Sequence, residues 1–272
     1  MQSDAFNSIM NTQEISEQYY TNMQNRFTPG AVEENIYFTD YYNAYQASGG
    51  PAPKYAVREL NFSQGKVTPV DSPTSLAIEG NGFFVVSDGR KDVYTRNGKF
   101  SFKDGALIHP NGLKVKGYAL DESGQQKPEL INIEMSLDPE TKLYNGKYTS
   151  YKFDEYGTMY GLETNIDPIT KNVVTNEVPI YRVAVATFAN SSGLRPVGLT
   201  IYSNSENSGP AVVGTAGQGA LGMIKPQHLE LSNIDYIQQA YKAGQAKQAS
   251  SANFSVIKAQ DEINKMSINL IK

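Results

Sequence analysis

Apolar residues recur at helical spacing only near the two ends of this chain. Toward the C-terminus, Ala249, Ala252, Val256, Ala259, Ile263, Met266 and Leu270 alternate steps of three and four, the a/d seam of a coiled coil. Ile234, Ile237 and Tyr241 carry a similar seam ahead of it, with a stutter expected at Gln245–Gln248. Ser232 and Asn233 are placed to cap this helix, and Asp235 suits the positive end of its dipole. Toward the N-terminus, Phe6, Ile9, Gln13, Ser16, Tyr20, Met23 and Phe27 repeat the same step, from a cap at Ser3 or Asp4 until Pro29-Gly30 ends the helix. Both seams are narrow, and the C-terminal one is rich in alanine, so each helix is marginal alone and needs a partner. The plainer alternative is two terminal helices packed on an α+β domain.

Everything between the ends reads as strand and turn. Residues 31–70 form an extended, hairpin-like arm, with Tyr37, Phe38, Tyr41, Tyr42 and Tyr45, a Gly/Pro connector at 48–53 and a strand over 55–63. A disordered linker is the alternative, but so many aromatics argue for burial. From Ser75 the signals sharpen. Leu76 and Ile78, then Phe83–Val86, are strands separated by Gly80-Asn81-Gly82. Asp88-Gly89 turns into Val93–Arg96, and Asn97-Gly98 predicts a type I′ hairpin into Phe100–Phe102. Turn chemistry recurs at Asp104-Gly105, Asn111-Gly112, Asp121–Gly124, Glu155–Gly157 and Asp167-Pro168. Further strands are expected at 151–154, 158–160, 173–174 and 180–188, the last paired with 199–202. Residues 203–222 read as a loop. The expected fold class is α+β: paired N- and C-terminal helices in a coiled-coil-like core (1–30 and 232–272), a β arm (31–70), and a mainly antiparallel outer β domain with a return loop (71–231).

Composition narrows the function. The 272 residues carry a formal charge of −4, which gives no general affinity for nucleic acid or anionic membranes. There is no Cys, so disulfides, thiol catalysis and thiolate metal sites are absent. No apolar run is long enough to cross a bilayer, and the first residues lack the basic and apolar regions of a secretory signal. Gly217, Gly219 and Gly222 spell G-x-G-x-x-G, but without the preceding strand and following helix that a dinucleotide site requires. His109 and His228, the only histidines, lie in loop-like contexts outside metal-ligand spacing, and surface polar roles are expected for both. Asp88 with Asp92, or Asp121 with Glu122, lack the alternating oxygens of a Ca²⁺ loop and read as solvated turn carboxylates. No catalytic, cofactor or metal site is expected.

Four blocks together resemble the bacterial flagellar rod and hook axial proteins. Asn22, Asn25, Thr28, Pro29 and Gly30 follow the pattern that closes the family's N-terminal helix. Phe62-Ser63-Gln64-Gly65, with Leu76 through Gly80, Gly82 and Phe83, resembles the segment leading into its core. Tyr94-Thr95-Arg96-Asn97-Gly98-Lys99-Phe100 is similar to its Y-T-R-x-G-x-F. Leu229 to Asp235, with Ser232 and Asn233, resembles the block opening its C-terminal helix. Length favours the rod members, with the distal rod type nearest and a proximal rod protein next. Three stretches depart from the family: Ala31-Val32, Gln245–Ser251 and the Tyr-rich arm. The resemblance implies a structural subunit, not an enzyme, that polymerises helically with itself into a hollow, torque-transmitting shaft lining an export channel. It implies contacts with other rod and hook proteins and with the flagellar export apparatus, and no nucleic acid or membrane insertion. It also implies a place in the basal body outside the cytoplasmic membrane, periplasmic where there is an outer membrane, reached without a cleaved signal. A hook subunit is the alternative within the family, and a β-rich surface- or carbohydrate-binding module the alternative outside it.

Overall fold

A computed structural model describes residues 2–40, 54–121, 123–166 and 173–270. Tyr41, Tyr42, Tyr45, the 48–53 connector, Glu122 and Asp167-Pro168 lie outside the described residues. So do the side chains of Phe6, Tyr37, Phe38 and Leu270.

The chain is mostly β, 42% strand against 23% helix, which overturns the expected balance of fold class. Among the described residues there are two α-helices, α1 (Gln2–Asn25) and α2 (Tyr236–Leu270). They do not form the expected coiled-coil core, because the residues of the expected seam on α2 face outward. Ile237 is 80% exposed, Val256 57%, Ile263 61% and Met266 63%. The helix begins later than Ser232 and Asn233 suggest. Asp235 is its cap, its Oδ1 accepting the N–H groups of Ile237 (2.9 Å) and Gln238 (3.2 Å).

The chain divides into two compact units. The first holds residues 1–26, 32–61 and 234–272. Besides the helices it contains β1 (Glu33–Asp40) and β2 (Lys54–Asn61), an antiparallel pair running from Glu33 opposite Asn61 to Asp40 opposite Lys54.

The second unit holds residues 27–31 and 62–233. Its strands are β3 (Val67–Pro69), β4 (Leu76–Glu79), β5 (Phe83–Ser87), β6 (Asp92–Thr95), β7 (Ser101–Lys103), β8 (Ala106–Ile108) and β9 (Lys114–Leu120), then β10 (Gln126–Asn132), β11 (Ser150–Phe153), β12 (Thr158–Ile166) and β13 (Val173–Thr187), and finally β14 (Arg195–Gly198), β15 (Ile201–Ser203), β16 (Val212–Thr215), β17 (Met223–Pro226) and β18 (His228–Glu230). One large antiparallel sheet runs β11-β12-β13-β9-β5-β6-β15-β14, and β3 with β18 and β4 with β17 make two short ribbons. Every residue of β5 is buried, because its two faces meet different cores. Phe84 and Val86 join Leu76, Leu107, Val115 and Met159 in the main cluster. Phe83 sits edge-on to Phe62 (5.0 Å) and Phe188 (5.7 Å). The continuous apolar run at 83–86 has this double burial as its cause.

Several expected connections differ. Asn97-Gly98 is not a type I′ hairpin: neither residue takes a positive φ, β6 pairs with β5 and β15, and β7 pairs with β8. Asp104-Gly105, between β7 and β8, is a two-residue turn with both φ positive (51° and 77°). Strand β15 pairs with β6 and β14 rather than with β13, whose partners are β5, β9, β12 and β16, the last a strand inside the expected 203–222 loop. Gly217 and Gly219 take positive φ in the β16–β17 turn. His109, expected at the surface, is 1% exposed.

Candidate assembly site

In the β unit, three chain segments that run on into the other unit meet at one residue, the buried Glu230. The Gly30 N–H donates to the Glu230 carbonyl at 2.9 Å, and the Gly65 N–H donates to Glu230 Oε1 at 2.9 Å. The strand carrying Glu230 pairs with β3, Val67 opposite Glu230. Gly30 holds a φ of +67°, and a β-carbon there would overlap the backbone of Asn97, so this position needs glycine twice over.

Arg96 supplies the counter-charge. Its Nη1 lies 3.5 Å from Glu230 Oε2 and donates to the Gly80 carbonyl at 2.8 Å, while its guanidinium stacks over Phe83 at 5.1 Å. The two side chains are only 5% and 6% exposed. The pair is long and lacks hydrogen-bond alignment, leaving Glu230 Oε2 and Arg96 Nε without such a partner, so the attraction is coulombic. Burial raises the Glu230 pKa and lowers that of Arg96, and each charge opposes the shift of the other.

Of the residues carrying the resemblance, this hub gathers Gly30, Gly80, Phe83 and Arg96. Around it, Gly82 takes a φ of +139°, Tyr94 packs on Phe188 at 4.8 Å, and Thr95 Oγ1 accepts the Asn97 N–H at 3.0 Å. The Thr28 carbonyl accepts the Ala31 N–H, and Asn233 Nδ2 donates to the Ser63 carbonyl at 2.9 Å. Pro29 and Ser232 are half-buried. Glu230 itself was not singled out from the sequence. Its signal is an acid between Leu229 and Leu231 in a strand, which needs a buried cation.

Within the helical unit, α1, β1 and α2 meet through a polar face. Asn22 Nδ2 donates to Gln239 Oε1 (3.0 Å) and to the Glu34 carbonyl (2.8 Å), and its Oδ1 accepts from Gln18 Nε2 at 3.2 Å. Gln239 Nε2 donates to Glu33 Oε1 at 2.7 Å, where Lys242 Nζ also sits at 3.1 Å. Burial would raise the Glu33 pKa, but hydrogen bonds from Lys242, Gln239 and Asn61 outweigh it and hold it below 4.5. The inward stripe of α2 is Gln239, Ala243 and Ala246, continued by the half-buried Ser250, Asn253, Ile257 and Gln260. It keeps the three–four step of the expected seam, displaced by one residue. Asn22 faces this side, and Asn25 is half-buried.

The remaining residues expected at an interface are distributed accordingly. Tyr241 and Tyr20 are exposed, as are Ala249, Ala252 and Ala259. In the β unit, Phe27 is 75% exposed. Ile9 and Met23 are half-buried, and Ile234 is buried. The outward face of α2 thus carries Ile237, Tyr241, Val256, Ile263 and Met266, a row of large apolar side chains left exposed among the described residues.

A family profile described as "Flagellar hook protein FlgE/F/G D1 domain" matches residues 77–161, the stretch holding Gly80, Phe83 and Arg96. The chain is 25% identical to the flagellar basal-body rod protein FlgG of Borreliella burgdorferi, over 92% of this chain and 90% of that protein. It is 25% identical to the FlgG of Bacillus subtilis with the same coverage of both. To the flagellar hook protein FlgE of Escherichia coli it is 30% identical, over 76% of this chain and 55% of that protein. With its blocks in order and its buried hub built from them, this chain is similar to the flagellar basal-body rod and hook proteins.

Proposed function

We propose that the chain is a structural axial subunit of the flagellar basal-body rod, and not an enzyme, which repeats along a helical shaft that transmits torque. The observation that carries this reading is the outward row of α2. A stripe of large apolar residues that the monomer leaves wet is covered when subunits stack through a heterologous contact that does not close. The rod reading stands ahead of the hook reading because the similarity runs over 90% of the rod relatives and only 55% of the hook protein. Hook identity remains the second reading, supported by the 30% identity. A carbohydrate-binding module finds less support: a cavity of about 530 Å³ in the β unit is lined by Val93, Leu113, Val197 and Ile201 with charged residues, and no aromatic ring lines it.

On this reading the partners are other copies of the chain, neighbouring rod and hook proteins, and the export apparatus that passes subunits through a hollow core without a cleaved signal. The subunit then works outside the cytoplasmic membrane. The proposed interface comprises Ile237, Tyr241, Val256, Ile263 and Met266 with Tyr20 and Phe27.

The test compares Ile263→Asp with Lys265→Asp. Both positions are exposed in the monomer, so neither variant should alter its melting. Ile263→Asp places a carboxylate in a contact that forms only on stacking, where an unpaired charge costs several kcal/mol. Polymerisation and swimming should fail for Ile263→Asp and persist for Lys265→Asp. Equal assembly of the two would remove the stripe from the interface.

A further inference from the structure

Three turns of the β unit share one hydrogen-bond frame, closed by a different side chain in one of them. In Asp121–Gln125, the Asp121 N–H donates to the Gln125 carbonyl (3.0 Å) and the Gly124 N–H to the Asp121 carbonyl (2.9 Å). The carboxylate then accepts the N–H groups of Ser123 (3.0 Å) and Gln125 (2.8 Å). Asp154–Thr158 repeats this: Asp154 N–H to Thr158 O (3.0 Å), Gly157 N–H to Asp154 O (3.0 Å), and carboxylate bonds from Tyr156 (2.9 Å) and Thr158 (2.7 Å). In His109–Leu113 the backbone bonds recur at 2.8 Å each, from His109 N–H to Leu113 O and from Gly112 N–H to His109 O. Here an imidazole stands where the others have a carboxylate, with His109 Nδ1 accepting the Asn111 N–H at 3.3 Å.

This substitution changes what a proton does. An Nδ1 that accepts a hydrogen bond is unprotonated, so neutral His109 carries its hydrogen on Nε2. That atom is buried without a hydrogen-bond partner, and the ring lies edge-on to Phe100 at 6.4 Å. A second proton must go to Nδ1. It would point at the Asn111 N–H, remove the acceptor that closes the turn, and set a charge in the core.

We propose that the β8–β9 turn is a proton-sensitive latch, in which protonation of His109 Nδ1 releases residues 109–113 while the two aspartate turns stay closed. Burial alone pushes the His109 pKa down, to about 4, and no charged side chain contributes to the shift. Asn111 and Leu113 line the cavity shared with Asp88, Lys91, Val197 and Arg195, so release of the turn opens one wall of it.

The sign is fixed by linkage. The folded turn requires neutral His109, so its closure is complete above the ordinary value of 6.5 and is lost as pH falls through about 4. Amide hydrogen exchange on the full chain tests this, corrected for intrinsic rates at each pH. Between pH 7 and pH 4, protection at Gly112 and Asn111, whose N–H groups donate to the His109 carbonyl and Nδ1, should fall by about a hundredfold, the ratio that the two pKa values allow. Ser123, Gln125, Tyr156 and Thr158 should keep theirs. In His109→Asn, a neutral acceptor replaces the ring and the pH-dependent loss should vanish. Should that variant not fold, ring-nitrogen NMR of the wild type decides. His109 should be the Nε2–H tautomer at pH 7, whereas His228, whose Nδ1 donates to the Pro226 carbonyl at 2.8 Å, should not. Loss of protection in all three turns together, an unchanged loss in His109→Asn, or an Nδ1–H tautomer for His109 would overturn the latch.

Discussion

Gly98 lies with its α-carbon against the carbonyl oxygen of Leu76, so close that a β-carbon built on Gly98 would overlap that oxygen. The two residues also exchange a backbone bond, the Leu76 N–H donating to the Gly98 carbonyl at 3.0 Å. Gly98 is therefore fixed by crowding, not by a positive φ. Gly98→Ala should destabilise the β unit by about 3 kcal/mol, the upper part of the range for forcing extra volume into packed structure. Denaturant unfolding followed through the β unit checks this, and a loss under ~0.5 kcal/mol would show that the Leu76 strand can retreat.

Gly244 offers the opposite case. It lies inside α2, exposed, and a β-carbon there meets nothing within 4 Å. Gly244→Ala should raise the stability of the helical unit by about 0.5–1 kcal/mol, since glycine costs that much in a helix interior. Thermal unfolding monitored by helical circular dichroism should show the midpoint rising.

The hub should respond asymmetrically to substitution. Glu230→Gln leaves Arg96 buried without its counter-charge and should cost about 3–5 kcal/mol. The double change Arg96→Met with Glu230→Gln should cost less than the sum of the two single changes. Urea unfolding of the four proteins gives the coupling, and strict additivity would mean that the 3.5 Å pair contributes nothing.

The helical unit should lose stability in acid by a different group from the β unit. Burial of Glu33 is outweighed by bonds from Lys242, Gln239 and Asn61, so its folded pKa lies below the ordinary 4.5. Its contribution is present above 4.5 and is lost as pH falls through the folded value. Glu33→Gln should flatten the pH dependence of helical unfolding below about pH 4.5. A slope unchanged in the variant would place the acid sensitivity elsewhere.

The periods of the chain were readable, and their phase was not. The three–four step on α2 is real, yet the buried face is Gln239-Ala243-Ala246 and the exposed one Ile237-Tyr241. A hydrophobicity pattern assigns the apolar stripe to the inside. Here buried amides and Glu33 satisfy one another, and a polar stripe becomes an interior that apolarity cannot reveal. The continuous run Phe83–Val86 did announce a strand buried on both faces. Asn97-Gly98 and Asp104-Gly105 carry equal hairpin signals, and only the second forms one, because Arg96 and Gly98 are held by distant partners, Glu230 and Leu76. Glu230, 134 positions beyond Arg96 by subtraction, has no local signature that pairs the two.

Val67–Pro69 lies beside His228–Glu230, so the two ends of the 62–233 stretch are neighbours. Topologically, the β unit is a long excursion that returns to its starting point. A chain built this way can grow or shrink between those ends while the separation of its stem stays fixed. Length variation among related subunits should accordingly collect between residues 70 and 227, and the stem itself should be the part that tolerates no insertion.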